Sequence, residues 1–105
     1  MKTLVNTKTE ITKQEEDGSK SFLGYADLAK FCTDNPPKDG WDKDSMKMSI
    51  KIENKLEKVK IGDKIDLEDA EFDYLYAAAQ PDKMKWAMKH KDLVSFLEYL
   101  DKLKN

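Results

Sequence analysis

A run of lysines surrounds a tryptophan between residues 83 and 91, which read K-M-K-W-A-M-K-H-K. Lys83, Lys85, Lys89 and Lys91 place positive charges here without an acid, and Trp86 lies near the centre. Lysines around a stacking aromatic can hold single-stranded nucleic acid, and the same surface would attract an acidic protein partner. The alternative is that Trp86 belongs to the core while the lysines project into water around it. The run is therefore a candidate binding site whose ligand class stays open.

His90 lies inside this run and is the only histidine, while Cys32 is the only cysteine. A general base needs an oriented partner and a nucleophile in reach, and a metal site needs several ligands. Asp92 and Glu98, the acids near His90, do not form such a pattern, so we expect His90 to face solvent or to cap a helix. Cys32 is expected to be a small core residue. We therefore predict no catalytic residue, no metal and no cofactor.

Trp41 is the second tryptophan, and it directly follows the segment P-P-K-D-G, which the prolines and glycine mark as a break between two elements. It is expected to be a hydrophobic plug that fixes the following helix against the core. The alternative is an anchor for a protein partner. With His90 and the lysine run it completes the candidate partner-binding residues, which are Trp41, Lys83, Lys85, Trp86, Lys89, His90 and Lys91.

Residues 42 to 60 fit two periodicities. Met46, Ile50 and Ile52 belong to an alternation typical of a strand, whereas Ile52, Leu56 and Val59 belong to a helical stripe. The lysines of this segment recur at spacings of three and four and fill the angular gap left by the apolar residues, so we predict a helix. Its lysine stripe consists of Lys43, Lys47, Lys51, Lys55 and Lys58. The stripe could follow phosphates, but a solvated helix face is the preferred interpretation.

The stretch from Ile65 to Gln80 has the clearest helix signals in the chain. Asp66 can serve as an N-cap, acids follow in the first turn, and Pro81 stops the helix. Apolar residues fall on two sides, one of them rich in alanine. We therefore predict a central helix near 66–80, packed between other elements, with every acid explained by capping, the helix dipole or solvent.

The remaining elements are predicted from simpler patterns. Residues 3 to 16 are predicted to form a strand, because β-branched residues occupy alternate positions from 3 to 11. Asp17 and Gly18 favour a turn, and residues 19 to 23 can return as a strand. These features predict an N-terminal hairpin, with a flexible arm as the alternative. Helices are expected at 25–33 and from Leu93 onward, and a short helical turn is expected after Pro81.

The chain as a whole has the composition of a small folded domain. Its 105 residues are 39% hydrophobic and 38% charged, with a formal net charge of −2. All of its cationic side chains are lysines, and the absence of arginine counts against a sequence-specific DNA reader. No apolar run is long enough for a signal peptide or a membrane span, so we expect a cytoplasmic protein without a membrane partner.

Several segments resemble small accessory proteins encoded by tailed bacteriophages and prophages. The resemblance covers residues 36–103 and rests on P-P-K-D-G-W, D-S-M-K-M-S-I-K-I-E-N-K-L, I-D-L-E-D-A-E-F-D-Y-L, and K-W followed by K-D-L-V-S-F-L. It implies a location in the host cytoplasm or the virion. That group has no single activity that can be carried onto residues of this chain.

We therefore expect a single domain of the mainly α class, with α+β at the margin: a hairpin or arm over 1–24 and a helical core over 25–105, about four short helices in all. The expected function is non-enzymatic. The protein would bind another protein in virion assembly, or regulate or inhibit a host protein, through exposed aromatic and methionine side chains. The alternative is a weak, non-sequence-specific nucleic-acid-binding module that uses the 83–91 run. The oligomeric state is left open.

Overall fold

Short strands and helices share the chain in this computed structural model, which describes residues 1–37 and 39–105. In chain order the elements are β1 (Lys2–Val5), β2 (Lys8–Gln14), β3 (Lys20–Gly24), α1 (Tyr25–Asp34), α2 (Lys43–Leu56), β4 (Lys64–Leu67), α3 (Asp69–Ala78) and α4 (Lys91–Lys104). The break predicted after α1 begins at its C-cap, Asn35. Lys38, which belongs to that predicted break, lies outside the described residues.

The predicted mainly α class is wrong. The described residues form four helices, 46% of the chain, and strands that account for a further 19%. The strands form two antiparallel sheets of two strands each, β1 with β4 and β2 with β3. The fold is therefore α+β, since strand pairing contributes to the body of the protein as well as to an N-terminal hairpin.

The start of the predicted central helix is a strand. Ile65 and Leu67 are buried with Asp66 exposed between them, and β4 pairs with β1 in the register Leu4 to Ile65. Asp66 does not cap a helix, because its side chain accepts a hydrogen bond from Thr3 Oγ1 at 2.8 Å. The triplet I-D-L fits a period of two as well as a helix, and a partner strand distant in sequence decides between them.

The N-terminal hairpin is confirmed, but the strand predicted over 3–16 is interrupted at Asn6 and Thr7. Asn6 is buried, and its Oδ1 accepts a hydrogen bond from the backbone N–H of Ala26 at 2.8 Å. Buried residues are even-numbered before this break and odd-numbered after it. The break thus allows β1 to join β4 while β2 joins β3. Asp17 and Gly18 form the hairpin turn, with Gly18 at a φ of +89°.

The helix predicted over 42–60 is confirmed as α2. Its N-cap is Asp42, whose carboxylate accepts a hydrogen bond from the Ser45 backbone N–H at 2.7 Å. The helical stripe is correct for Ile52 and Leu56, which are buried. The two remaining predicted helices are confirmed as α1 and α4, and Phe96 of α4 packs against Tyr25 of α1 with ring centroids 5.2 Å apart.

One side of α3 is fully buried and the predicted second side is only partly covered, since Tyr74 and Ala78 pack against the core from half-buried positions. Phe72, Leu75 and Ala79 enter the core, whereas Ala70 and Ala77 are exposed. Helices α1, α2 and α4 all contact α3. The alanine side is left largely open because alanine contributes little apolar area, so that exposing it to solvent costs little free energy.

Two lysines of the α2 stripe form ion pairs with acids at the start of α3, so a solvated helix face describes them incompletely. Lys55 Nζ lies 2.6 Å from Glu71 Oε1, and Lys51 Nζ lies 3.2 Å from Glu68 Oε2. Glu71 is 0% exposed, and its Oε1 also accepts a hydrogen bond from the Glu68 backbone N–H at 2.7 Å. The bond from the Glu68 N–H is the N3 half of a capping box, so capping describes part of the role of Glu71. Its ion pair with Lys55, which connects α2 to α3 from inside the protein, was not predicted.

The charge on Glu71 is stabilised despite its burial. Desolvation raises the pKa of the Glu71 carboxyl, but the hydrogen bonds from Lys55 and Glu68 and the charges of Lys55 and Lys51 together lower it below its ordinary value. Its Oε2 has no hydrogen-bond partner among the described residues, and Lys51 Nζ lies 3.9 Å from it. The ionised form of Glu71 consequently depends on the two lysines of α2.

Candidate protein-binding groove

The segment that joins α3 to α4 contains no helix and no strand from Gln80 to His90, so the helical turn predicted after Pro81 is wrong. Its first residues form a turn in which the backbone N–H groups of Lys83 and Met84 both donate to Gln80 O at 2.9 Å. Asn35, at the end of α1, donates its side-chain N–H to Lys83 O at 2.8 Å. The segment is thus attached at its start to the C-terminal end of α1.

Beyond this attachment the segment forms one wall of an apolar groove, which we call the Trp86 groove. The groove has a volume of about 290 Å³ and is lined almost entirely by apolar side chains. Its lining residues are Ile11, Leu23, Leu28, Phe31, Met84, Lys85, Trp86, Ala87, Met88 and Leu93. The groove therefore joins the hairpin, α1, the 80–90 segment and the start of α4.

Large apolar side chains remain accessible at this groove. Phe31 is 46% exposed and Met88 is 51% exposed, while Trp86 is half-buried and packs against the core. An exposed apolar side chain is common by itself, but several around one concave surface are typical of a binding site. The sequence left two roles open for Trp86, a core residue or a residue that contacts a ligand. In the structure its side chain packs against the core and also lines the groove.

Lys85 lines the groove, and Lys83 and Lys89 belong to the same 80–90 segment, with Lys83 at the separate cavity beside Cys32. We call these three lysines of the segment the lysine rim. All are exposed, and none forms an ion pair with a described residue. Lys91 differs, because its Nζ lies 3.0 Å from Glu10 Oε2. That hydrogen bond and the charge of Glu10 raise the pKa of Lys91. The lysine rim thus carries three positive charges that form no ion pair among the described residues, and Lys85 places one of them at the apolar groove.

His90 is a helix cap. Its Nδ1 accepts a hydrogen bond from the Asp92 backbone N–H at 3.0 Å, which makes it the N-cap of α4. The Asp92 carboxylate in turn accepts a hydrogen bond from the backbone N–H of Glu10 at 2.7 Å. These contacts fix α4 against β2. Of the two roles expected for His90, the structure gives it the capping one, which occupies the ring nitrogen nearest to α4.

Trp41 lies on a different surface. It borders a shallow depression beside α2 with Met46 and Ile50, and this depression shares no lining residue with the Trp86 groove. Trp41 is 36% exposed, so it does not seal the core as a plug would. Of the candidate residues, the structure therefore brings Lys85 and Trp86 together in the groove, keeps Lys83 and Lys89 in the same segment, and separates Trp41 from them.

Sequence reasoning missed Phe31 as part of this surface. Phe31 belongs to α1, on which Leu28, Ala29 and Cys32 form the buried side. At about 100° per residue, Phe31 falls outside the arc that these three residues span. This angular position was the feature of the sequence that could have shown Phe31 to be exposed. Leu23 and Ile11 join the groove only because the hairpin folds beside α1, which no local pattern shows.

The thiol of Cys32 is not activated as a nucleophile. Cys32 is fully buried, and desolvation raises the pKa of its thiol to about 12, so the thiol stays protonated at neutral pH. It borders a small apolar cavity of about 120 Å³ beside Tyr74 and Ala78. In residues 1–37 and 39–105 no group of three or more potential metal ligands is assembled. No helix in these residues is both long and apolar enough to cross a membrane.

The Trp86 groove thus combines an apolar floor, accessible aromatic and methionine side chains, and a lysine at its edge. Comparison of this chain with models of protein families, with curated proteins and with solved structures found no match.

Proposed function

We propose that this protein is a non-enzymatic interaction module that binds an acidic, amphipathic segment of another protein in the Trp86 groove. The observation that carries the proposal is the lysine rim, whose charges lack acidic partners among the described residues, beside an apolar groove with accessible side chains. Such a module would act in virion assembly or as a regulator or inhibitor of a host protein.

The chemistry of the partner follows from that of the groove. Phe31, Trp86 and Met88 offer apolar area that an aliphatic or aromatic side chain can cover. Methionine is flexible and polarisable, so it adapts to differently shaped apolar groups. Lysines at the edge favour acids on the partner, and they increase the association rate more than the affinity. A short segment with apolar anchors on one side and acids on the other satisfies both requirements.

A nucleic acid is the second candidate, because the lysine rim could also contact phosphates. The floor of the groove favours the protein partner. Stacking of successive bases needs several accessible aromatic faces. Phe31 offers one here, but Trp86 is half-buried and its neighbours Met84 and Met88 are aliphatic.

The test compares three fluorescent probes at low salt: an acidic amphipathic helical peptide, the same peptide with each Glu replaced by Lys, and a single-stranded thymidine oligonucleotide. Fluorescence anisotropy gives the affinities, and NMR chemical-shift changes locate the site. We expect the acidic peptide to bind, with shifts at Phe31 and residues 84–89. No binding of the acidic peptide contradicts the proposal, and tighter binding of the oligonucleotide replaces it with the nucleic-acid function.

A charge-reversed variant tests the site, and the chain provides a matched control. Lys83→Glu, Lys85→Glu and Lys89→Glu together should weaken peptide binding by about tenfold or more, since opposed charges become like charges. The control reverses Lys43, Lys47 and Lys58 of the α2 stripe, which are exposed and form no ion pair with a described residue. Equal weakening by both variants would show that net charge, rather than this groove, binds the peptide.

A further inference from the structure

The hairpin of β2 and β3 extends from the body of the protein. Residues 12 to 20 are exposed apart from half-buried Glu15, so at this end neither face of the two strands is covered. A two-stranded ribbon with no covered face is marginally stable in water, and a third strand or a packed layer is the usual remedy. The described residues of the chain provide neither at this end of the hairpin.

The hydrogen-bond pattern shows which strand edge is free. At the turn, the Glu15 backbone N–H donates to Ser19 O at 2.7 Å. Bonded and non-bonded pairs alternate along an antiparallel ribbon, so Lys13 and Ser21 form the next bonded pair. Lys20 and Phe22 belong to non-bonded pairs, and they direct their backbone N–H and C=O groups away from β2. None of these groups bonds to a described residue outside the ribbon.

The side chains beside this edge suit pairing. Phe22 is 48% exposed, and Lys8 Nζ lies 4.3 Å from the centroid of its ring. On the opposite edge of the ribbon, the Asp92 carboxylate accepts the backbone N–H of Glu10, which closes part of β2. The open edge of β3 thus has outward hydrogen-bonding groups, a large accessible apolar side chain and no covering element among the described residues.

We propose that β3 pairs antiparallel with β3 of a second copy of this chain, about a two-fold axis at Ser21. Lys20 of each copy would then oppose Phe22 of the other, and their outward backbone groups would bond to each other. The two ribbons would become one sheet of four strands. This pairing goes beyond the proposed function and does not depend on the Trp86 groove.

A second copy fits this edge because the pairing is self-complementary. The two-fold axis places a lysine stem against an aromatic ring on both sides, which repeats the contact that Lys8 already makes with Phe22. No like charges face each other directly among Lys20, Ser21 and Phe22. Because β2 is partly closed, the assembly ends at a dimer instead of extending into a fibre.

The first measurement is sedimentation equilibrium over a range of protein concentrations, together with amide hydrogen exchange followed by NMR. We expect a monomer–dimer equilibrium. The amides of Lys20 and Phe22 should be protected at concentrations where the dimer dominates and unprotected where the monomer dominates, whereas Ser21, bonded within the ribbon, should be protected in both. A monomer at concentrations up to about 1 mM overturns the proposal. So does a dimer in which the amides of Lys20 and Phe22 stay unprotected.

The second measurement uses Phe22→Pro, which removes an outward N–H and the ring but no hydrogen bond inside the ribbon. Its matched control is Thr12→Pro, since Thr12 is the non-bonded partner of Phe22 and its N–H points to the other edge. We expect Phe22→Pro to raise the dimer dissociation constant by about tenfold or more, and Thr12→Pro to leave it unchanged. Equal effects contradict the pairing.

Should either proline unfold the hairpin, as judged by NMR, Phe22→Lys and Thr12→Lys replace the two variants. Phe22→Lys places lysines opposite Lys20 across the two-fold axis and should raise the dissociation constant by a similar factor, whereas Thr12→Lys should not. A dimer that tolerates Phe22→Lys without weakening overturns the proposal.

Discussion

Two groups of lysines, chemically identical and similarly spaced, have different roles in this protein. On α2, Lys51 and Lys55 turn towards α3 and hold the buried carboxylate of Glu71. At the Trp86 groove, the lysine rim has no acidic partner among the described residues. What separates the two groups is a buried acid within reach. The first group stabilises the fold, and the second is available to a partner.

Removing a lysine from the first group should give the largest effect on stability. Lys55→Ala leaves the Glu71 carboxylate buried without its shortest ion pair, so the free energy of unfolding should fall by about 2 kcal/mol. Urea denaturation at neutral pH measures this change in the free energy of unfolding. Lys47→Ala, an exposed lysine on the same helix, is the control and should change stability by less than about 0.5 kcal/mol. Equal losses would mean that the two lysine groups do not differ.

Neutralising Glu71 tests whether its charge is what distinguishes Lys51 and Lys55 from the lysine rim. Glu71→Gln keeps the shape and an oxygen that can accept the Glu68 N–H, but loses the charge that attracts Lys55, so we expect a loss of about 1 kcal/mol at neutral pH. The pKa of Glu71 is lowered in the folded protein. Its contribution is therefore complete well above its ordinary value of 4.5 and disappears as the pH falls through the folded pKa.

The corresponding measurement is the free energy of unfolding of both proteins as a function of pH. The difference between wild type and Glu71→Gln should shrink as the pH falls below 4.5, the ordinary value for this carboxyl. A difference that stays constant with pH would show that the glutamine lowers stability through packing, with no contribution from the charge.

The smallest effect on stability is expected at the lysine rim. Replacing Lys83, Lys85 and Lys89 together by Gln should change the free energy of unfolding by less than about 0.5 kcal/mol, since no ion pair with a described residue is lost. The same variant should weaken binding of the acidic peptide and reduce the salt dependence of what remains. A clear loss of stability would show that these lysines stabilise the fold, as Lys51 and Lys55 do.

Helices with a full amphipathic period were predictable. Helix α4 follows its leucine and phenylalanine pattern, and α2 follows the stripe that ends at Leu56. The fold class was not predictable to the same degree. The triplet Ile65 to Leu67 becomes a strand because β1, more than sixty residues earlier, supplies its hydrogen bonds. A short segment of sequence shows its own periodicity but does not include the strand with which it pairs.

The candidate site was predictable in part. Lysines around Trp86 drew attention to the right segment, but Trp41 lies elsewhere, and His90 caps α4. Phe31 and Leu23 were missed because the groove is assembled from α1 and the hairpin as well as from residues 80–90. Neighbours in space are set by packing, whereas the pattern of a sequence shows neighbours along the chain.

The sequence by itself determined where α1, α2 and α4 form, where the hairpin turns, and which segment carries unbalanced positive charge. Those features depend on local periodicity, capping, glycine and charge, which act over a few residues. Tertiary structure alone decided that Ile65 begins a strand, that Lys55 binds a buried acid and that Lys85 borders an apolar groove. Each of those outcomes depends on which groups come within a few ångströms after folding, since hydrogen bonding and desolvation act only over that range.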